Sequence, residues 1–320
     1  MIIKQLFNIF NQNKKKAGTR VAIQAVLQKI VGVDDSIKTL HYFLNELHTP
    51  TSIKTKDPDL RIMQICDAQL LKIFHCFCMK HQLRYWLDYG TLLGAVRHGG
   101  FIPWDDDMDV AMPREDYNTF YDLAKKELAP LGLTVEERLT GRIIGLSYKH
   151  MKTGIWLDIF PVDIVKSSLS LDKAFPYISK GFKTYRKHYA RFEKKRSEEF
   201  LHSKRKKYID DKLPQGKEFS ICYHGPEFIY PKIVCHNEED IFPLVKIEYE
   251  GSIFLSPNKA DIYLKGIYGN NYMKFPLGGI FHHGGEALCR PPLSEWAKIN
   301  NIDMRVISNE LDEIQRKING

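Results

Sequence analysis

The sequence predicts an α+β protein, and three observations predict it. Apolar residues recur at helical spacing over 58–82, where Leu60, Met63, Leu70, Phe74 and Phe77 form a core-facing stripe. Short apolar runs carrying isolated acids, at Tyr85–Tyr89, Asp107–Met112 and Ile155–Ile164, read instead as buried strands. From 166 to 212 the pattern turns helical and the composition turns basic. With 320 residues, 43% of them apolar and 27% charged, the chain has the make-up of a globular protein with ample core.

Taken in order, residues 1–56 read as a helical N-terminal appendage. Ile2, Ile3, Leu6, Phe7 and Phe10 share one helix face, and Lys14, Lys15, Lys16 and Arg20 follow. Such a helix packs on protein or lies on an anionic membrane surface. Asp57 is an N-cap and Pro58 a first helical residue for 58–82. Gly90-Thr91 ends the strand at 85–89, a helix starts at Leu92–Arg97, and Gly99-Gly100 makes a turn. A helix spans 114–129, its dipole favoured by Glu115 and Asp116. Strands at Arg142–His150 and Ile155–Ile164 flank a turn at Lys152-Thr153-Gly154. Residues 213–240 read as irregular. Strands at Val245–Tyr249 and Ile253–Ser256, a helix at 258–268 capped by Asn258, and an amphipathic helix at 293–319 complete the chain. The expected division is an appendage at 1–56, a catalytic domain at 57–292 with a basic helical insertion at 166–212, and a C-terminal helix at 293–320.

The net charge of +8 is local: residues 179–212 hold 13 Lys and Arg against 5 acids, and the remainder balances. That argues against a nucleic-acid-coating protein and for one basic patch. Phe182, Tyr185, Tyr189 and Phe192 interleave with it at spacings that also suit a helix packing one face on the core. The six cysteines contain no C-x₂₋₄-C pair, and His75 and His81 fall on different helix faces, so buried free thiols are expected rather than a zinc site. No window of 18 consecutive apolar residues exists and no secretory signal is evident, which points to a cytoplasmic setting. His282-His283-Gly284-Gly285 reads as a loop.

The chemistry centres on Asp105-Asp106-Asp107-Met108-Asp109. Four Asp in five positions repel one another and raise each other's pKa. On a strand, Asp107 and Asp109 face the same way while Met108 and Val110 face the core. Two adjacent carboxylates need a cation, and a divalent metal with oxygen ligands supplies it. Asp158, isolated in Trp156-Leu157-Asp158-Ile159-Phe160, needs a partner too, which a shared metal site would provide. Asp163 fits a turn start equally well. The strand–Gly90-Thr91–helix turn exposes N–H groups suited to a phosphate, and Arg97 is spaced to add a bidentate contact.

The order of strand, Gly-Thr, helix, Asp-x-Asp strand and later single Asp resembles the nucleotidyltransferase fold of the DNA polymerase β type. The stretch Tyr89–Asp109 (YGTLLGAVRHGGFIPWDDDMD) followed by Trp156–Asp163 (WLDIFPVD) resembles the LicD family, which includes bacterial phosphocholine transferases and is similar to fukutin-related ribitol-phosphate transferases. The resemblance implies a mixed-sheet core and transfer of phosphocholine or polyol phosphate from a CDP-linked donor to a hydroxyl of a glycan or lipid-linked glycan precursor. It implies Mg²⁺ or Mn²⁺ on Asp107 and Asp109 with Asp105 outside them, and Asp158 as third ligand or proton acceptor. Gly90, Thr91 and Arg97 would hold donor phosphates, and Asp106, Lys149 and Asp163 are further candidates. No nucleic acid is implied, and the basic segment suggests peripheral contact with an anionic membrane, such as the inner face of the plasma membrane. Competing readings are nucleotidyl transfer, an Asp-x-Asp glycosyltransferase, and a basic adaptor without catalysis.

Overall fold

A computed structural model describes residues 54–55, 58–138, 143–149, 155–192, 197–227, 233–274, 295, 298, 299, 301 and 303–319. Residues 1–53 and 56 of the N-terminal appendage, the Asp57 cap, the Lys152-Thr153-Gly154 turn, Cys289 and His282-His283 lie outside them. One compact unit comprises 53–272 and 280–320; of the other, 1–52 and 273–279, only Met273 and Lys274 are described.

Helix α1 runs Pro58–Lys80, and Leu70, Leu71, Phe74 and Phe77 on it are wholly buried. It is the one described helix long and apolar enough to cross a membrane, yet 56% of its apolar window is buried in the protein. Strand β1 (Trp86–Leu87) leads into α2 (Tyr89–His98), capped by the Asp88 side chain and closed by Gly99 at φ +65°, a left-handed conformation natural to glycine. β2 (Asp109–Pro113), α3 (Arg114–Glu127), β3 (Leu133–Arg138), β4 (Ile143–Tyr148) and β5 (Trp156–Ser167) follow.

These strands form a mixed sheet in the order β1-β2-β5-β4-β3. Only β2 and β5 run parallel; the other pairs are antiparallel. The 12-residue β5 pairs with β2 and β4 through its first half and with β6 (Phe219–His224) through its second, and β6 pairs with β7 (Cys235–Asn237). The segment read as irregular thus contains two strands and a short helix, α6, at Glu238–Ile241. Phe-Ser-Ile-Cys-Tyr-His is a mixed run between Gly and Pro, and its strand state comes from pairing with β5 rather than from local pattern.

The basic segment forms α4 (Leu171–Phe192) and α5 (Glu198–Tyr208). Phe182, Tyr185 and Tyr189 are buried, so the aromatic stripe is a packing face. Phe182 joins Val165, Ile178, Ile209 and Tyr223 in a second core under the far half of β5. Removing Phe182 from water contributes about 1.5–3 kcal/mol, which ties the insertion firmly to the sheet. The hairpin β8 (Val245–Tyr249) and β9 (Ser252–Ser256), α7 (Ala260–Tyr268) and α8 (Met304–Asn319) complete the unit. Asn258 does not cap α7; its side chain donates to the Glu239 carbonyl instead.

Candidate active site

The parallel pairing of β2 with β5 sets Asp109 directly beside Asp158, so the two side chains leave the same face of the sheet. The Asp158 N–H donates to the Met108 carbonyl at 2.8 Å, extending the ladder to the acidic run. Ligand oxygens of Asp107, Asp109 and Asp158 lie within 4.8 Å of one another, and those of Asp105, Asp106 and Asp107 form a second such group. Asp107 belongs to both.

Helix α2 is clamped to this strand end from both sides of one residue. The Asp109 N–H donates to Thr91 Oγ1 at 2.8 Å, and its carbonyl accepts from the Asp88 N–H at 3.0 Å. Tyr89 turns at φ +36°, a left-handed conformation costing on the order of 1–3 kcal/mol for a bulky residue. Gly90 follows, and a Cβ there would sit 2.7 Å from Asp105 Oδ2, so any larger residue would push the Asp105 carboxylate aside. The Gly90 and Thr91 N–H groups donate to nothing among the described residues, as geometry dictates for a first helical turn.

The loop carrying the acids is held from outside. Gln64 on α1 donates to the Asp105 carbonyl at 3.0 Å, and Glu250 accepts the Phe101 N–H at 3.0 Å while pairing with Arg61 at 2.7 Å. Asp88 is the third anchor. Its fully buried carboxylate accepts from the Tyr89 N–H (2.8 Å) and the Tyr263 hydroxyl (2.8 Å) and bonds His224 Nε2 (2.6 Å). Sequence reasoning missed Gln64, Glu250, His224 and Tyr263. Asp88 had the available signal, an isolated acid in an apolar strand, the argument already applied to Asp158.

The electrostatics are those of a crowded, buried anion cluster. Burial raises the Asp109 carboxyl well above its ordinary range, reinforced by Asp107, Asp158, Asp105 and Asp88. Burial likewise raises Asp105, with Asp107 and Asp106 adding to it. Among the described residues no Lys or Arg pairs with Asp107 or Asp109, and Asp107 Oδ1 is a buried oxygen with no hydrogen-bond partner. An all-carboxylate donor set with an orphaned buried oxygen fits a hard divalent cation such as Mg²⁺ or Mn²⁺.

Of the residues singled out in the sequence, the structure brings Gly90, Thr91, Asp105, Asp106, Asp107, Asp109 and Asp158 together. Arg97 is buried behind them, donating to the His98 ring at 2.9 Å and the Tyr272 carbonyl at 3.0 Å. Lys149 pairs with Glu310 at 3.0 Å. Asp163 lies on the opposite face of β5 from Asp158 and meets Arg114 through both carboxylate oxygens, at 3.0 and 2.8 Å. His75 bonds the Tyr85 hydroxyl and His81 pairs with Glu127, both in structural roles.

Residues 82–204 match the sequence profile of the LicD/FKTN/FKRP, nucleotidyltransferase domain. Over 245 residues the chain is 28% identical to the lipopolysaccharide cholinephosphotransferase LicD of Haemophilus influenzae, covering 68% of this chain and 92% of that protein. Over 81 residues it is 35% identical to the human ribitol 5-phosphate transferase FKRP, covering 23% of this chain and 16% of that one. A 48-residue stretch is 52% identical to an uncharacterized Rickettsia prowazekii protein. The Asp-x-Asp strand end, the neighbouring Asp158 and the Gly-Thr helix start all fall in the matched region, so the chain carries a LicD-type domain over 82–204 and is an enzyme similar to those named transferases.

Proposed function

We propose that this enzyme transfers a phospho-substituted group, phosphocholine or a polyol phosphate, from a CDP-linked donor to a hydroxyl of a glycan or lipid-linked glycan. The carrying observation is the Asp109–Asp158 pairing with Asp107 inside 4.8 Å, in a chain homologous over most of its length to a cholinephosphotransferase. Asp107, Asp109 and Asp158 would hold Mg²⁺ or Mn²⁺, with Asp105 supporting from outside. A divalent cation there neutralises donor phosphates and the charge developing on the departing nucleotide. The unengaged N–H groups of Gly90 and Thr91, at the positive end of α2, favour binding of donor phosphate. Asp158 would be the third ligand or, alternatively, the group that accepts the acceptor's proton. Arg97 then serves by steadying the helix rather than by touching phosphate.

The sheet order and the family likeness favour a polymerase β-like nucleotidyltransferase core. We propose the remaining organisation to be the appendage 1–56, the catalytic domain 57–292 and the C-terminal helix 293–320, in a cytoplasmic enzyme. The exposed Lys173, Lys180, Lys183 and Lys187 line one side of α4, which supports peripheral contact with an anionic membrane.

Incubation with CDP-choline, CDP-ribitol and CDP-glycerol, each with Mg²⁺ and a glycan acceptor, tests the reading. CMP release from one donor is expected. Pyrophosphate release from a nucleoside triphosphate would select nucleotidyl transfer, and turnover of no cytidine donor would overturn the proposal.

A further inference from the structure

An N-cap aspartate needs one hydrogen bond, to a backbone N–H of the first turn. Asp88 makes that bond with Tyr89 and then two more, to residues 136 and 175 positions away in sequence. His224 Nε2 meets one carboxylate oxygen at 2.6 Å, and the Tyr263 hydroxyl donates to the other at 2.8 Å while accepting from Trp86 Nε1 at 3.0 Å. The carboxylate is therefore fixed in rotation as well as position. Its own N–H holds the Asp109 carbonyl, and the turn it starts contains the left-handed Tyr89 and the close approach of Gly90 to Asp105.

His224 also touches the other arm of the site. Its ring stands 6.2 Å from that of Phe160 and 5.2 Å from that of Tyr89, and Tyr89 and Phe160 are themselves 5.2 Å apart. Phe160 is two residues beyond Asp158 on the same face of β5. One buried imidazole thus contacts both the strand–helix turn that grips Asp109 and the strand that presents Asp158.

We infer that His224, with Tyr263, is a positioning residue for the carboxylate site: it locks Asp88 and the Tyr89 ring so that Asp109 and Asp158 keep the spacing a shared cation requires. The inference rests on the reading of Asp107, Asp109 and Asp158 as cation ligands. It adds two residues whose effect on the reaction passes through Asp88 and not through contact with substrate.

The test compares His224→Gln, whose amide nitrogen reaches the place of Nε2 and keeps the donor, with His224→Phe, which keeps a ring and loses it. Mn²⁺ binding to the full chain, read by electron paramagnetic resonance, is measured beside melting temperature and the KM and kcat for the CDP donor. Loss of an outer hydrogen-bond partner typically weakens metal binding or activity by about 10–100-fold. A loss of that size in Mn²⁺ affinity is expected for His224→Phe, with His224→Gln restored to within about threefold. Wild-type Mn²⁺ affinity in a folded His224→Phe protein would overturn the inference. So would equal Mn²⁺ loss in both variants in proportion to lost melting temperature. Should His224→Phe fail to fold, Tyr263→Phe removes a single oxygen from the same carboxylate and must weaken Mn²⁺ binding; unchanged affinity there overturns the inference too. If Mn²⁺ binding responds as expected but wild type turns over no cytidine donor, the proposed reaction falls and the positioning role stands.

Discussion

Strand β5 carries two acids five residues apart, and the chain treats them in opposite ways. Asp163 faces a closed network: Arg114 meets it at 2.8 Å and also meets Glu227 at 2.6 Å, while Arg205 reaches Glu227 at 3.2 Å and Glu198. Asp158 lies beside Asp109 on the neighbouring strand with Asp107 close by, and among the described residues no cationic side chain pairs with Asp109. Burial alone would raise the Asp163 carboxyl, yet Arg114 and Arg205 hold it below its ordinary range. Burial raises Asp109, and its neighbours raise it further. The chain can neutralise a buried anion when stability is all that is required. On the proposed reading, the charge that balances Asp107 and Asp109 would come from a bound cation, which is how a binding site would differ from a staple.

The comparison can be broken, and the largest effect expected is on the closed side. Arg114→Ala leaves Asp163 and Glu227 buried without their main partner, and denaturant unfolding should show a loss of about 3–5 kcal/mol. On the open side, Asp109→Asn should lower turnover of a CDP donor by about 10²–10³-fold, the scale of losing one preorganised electrostatic group. Metal-free, that variant should melt at or above the wild-type temperature, because a repelling charge is gone. A divalent cation at 100 times its dissociation constant should stabilise wild type by about 2.7 kcal/mol and Asp109→Asn by far less, seen as a difference in melting shift.

Acid and base should separate the two sides by sign. Asp163, with its lowered pKa, stabilises the fold above the unfolded carboxylate value of about 4 and loses that contribution as pH falls through its lower folded value. Asp105 and Asp109 are raised, so in chelator they oppose folding progressively as pH climbs from about 4 through their folded values. Melting curves in chelator should therefore fall with rising pH over that window for wild type and flatten for Asp109→Asn. The smallest effect is expected at Lys149, whose partner Glu310 is 40% exposed: Lys149→Ala should cost under about 1 kcal/mol and leave kcat unchanged. A large kcat loss there would return Lys149 to the site.

Much of this was legible. Asp105–Asp109 and Asp158 announce themselves because charge in an apolar run is costly wherever it occurs; the expected strand at 107–112 begins only at Asp109, so Asp107 reaches the cluster from the preceding loop rather than through the period of two. The 58–80 helix and the 245–256 hairpin follow from apolar spacing and the Glu250-Gly251 turn. The edge strand Leu133–Arg138 was not legible, since four of the six residues in Leu-Thr-Val-Glu-Glu-Arg are polar and its state is decided by pairing with β4. Nor was the tie between His224 and Asp88, which no local pattern encodes. Arg205 was hidden differently. Inside Lys204-Arg205-Lys206-Lys207 it reads as one more solvated cation, yet it is 1% exposed and lies one turn beyond buried Leu201 on the inward side of α5.

That single inward arginine makes the basic insertion inseparable from the rest. A minimal version of this enzyme, trimmed of helix α5 to shed its lysines, would strand Glu227 and Asp163 with one guanidinium instead of two. Any such deletion must carry neutral replacements at 163 and 227 as well.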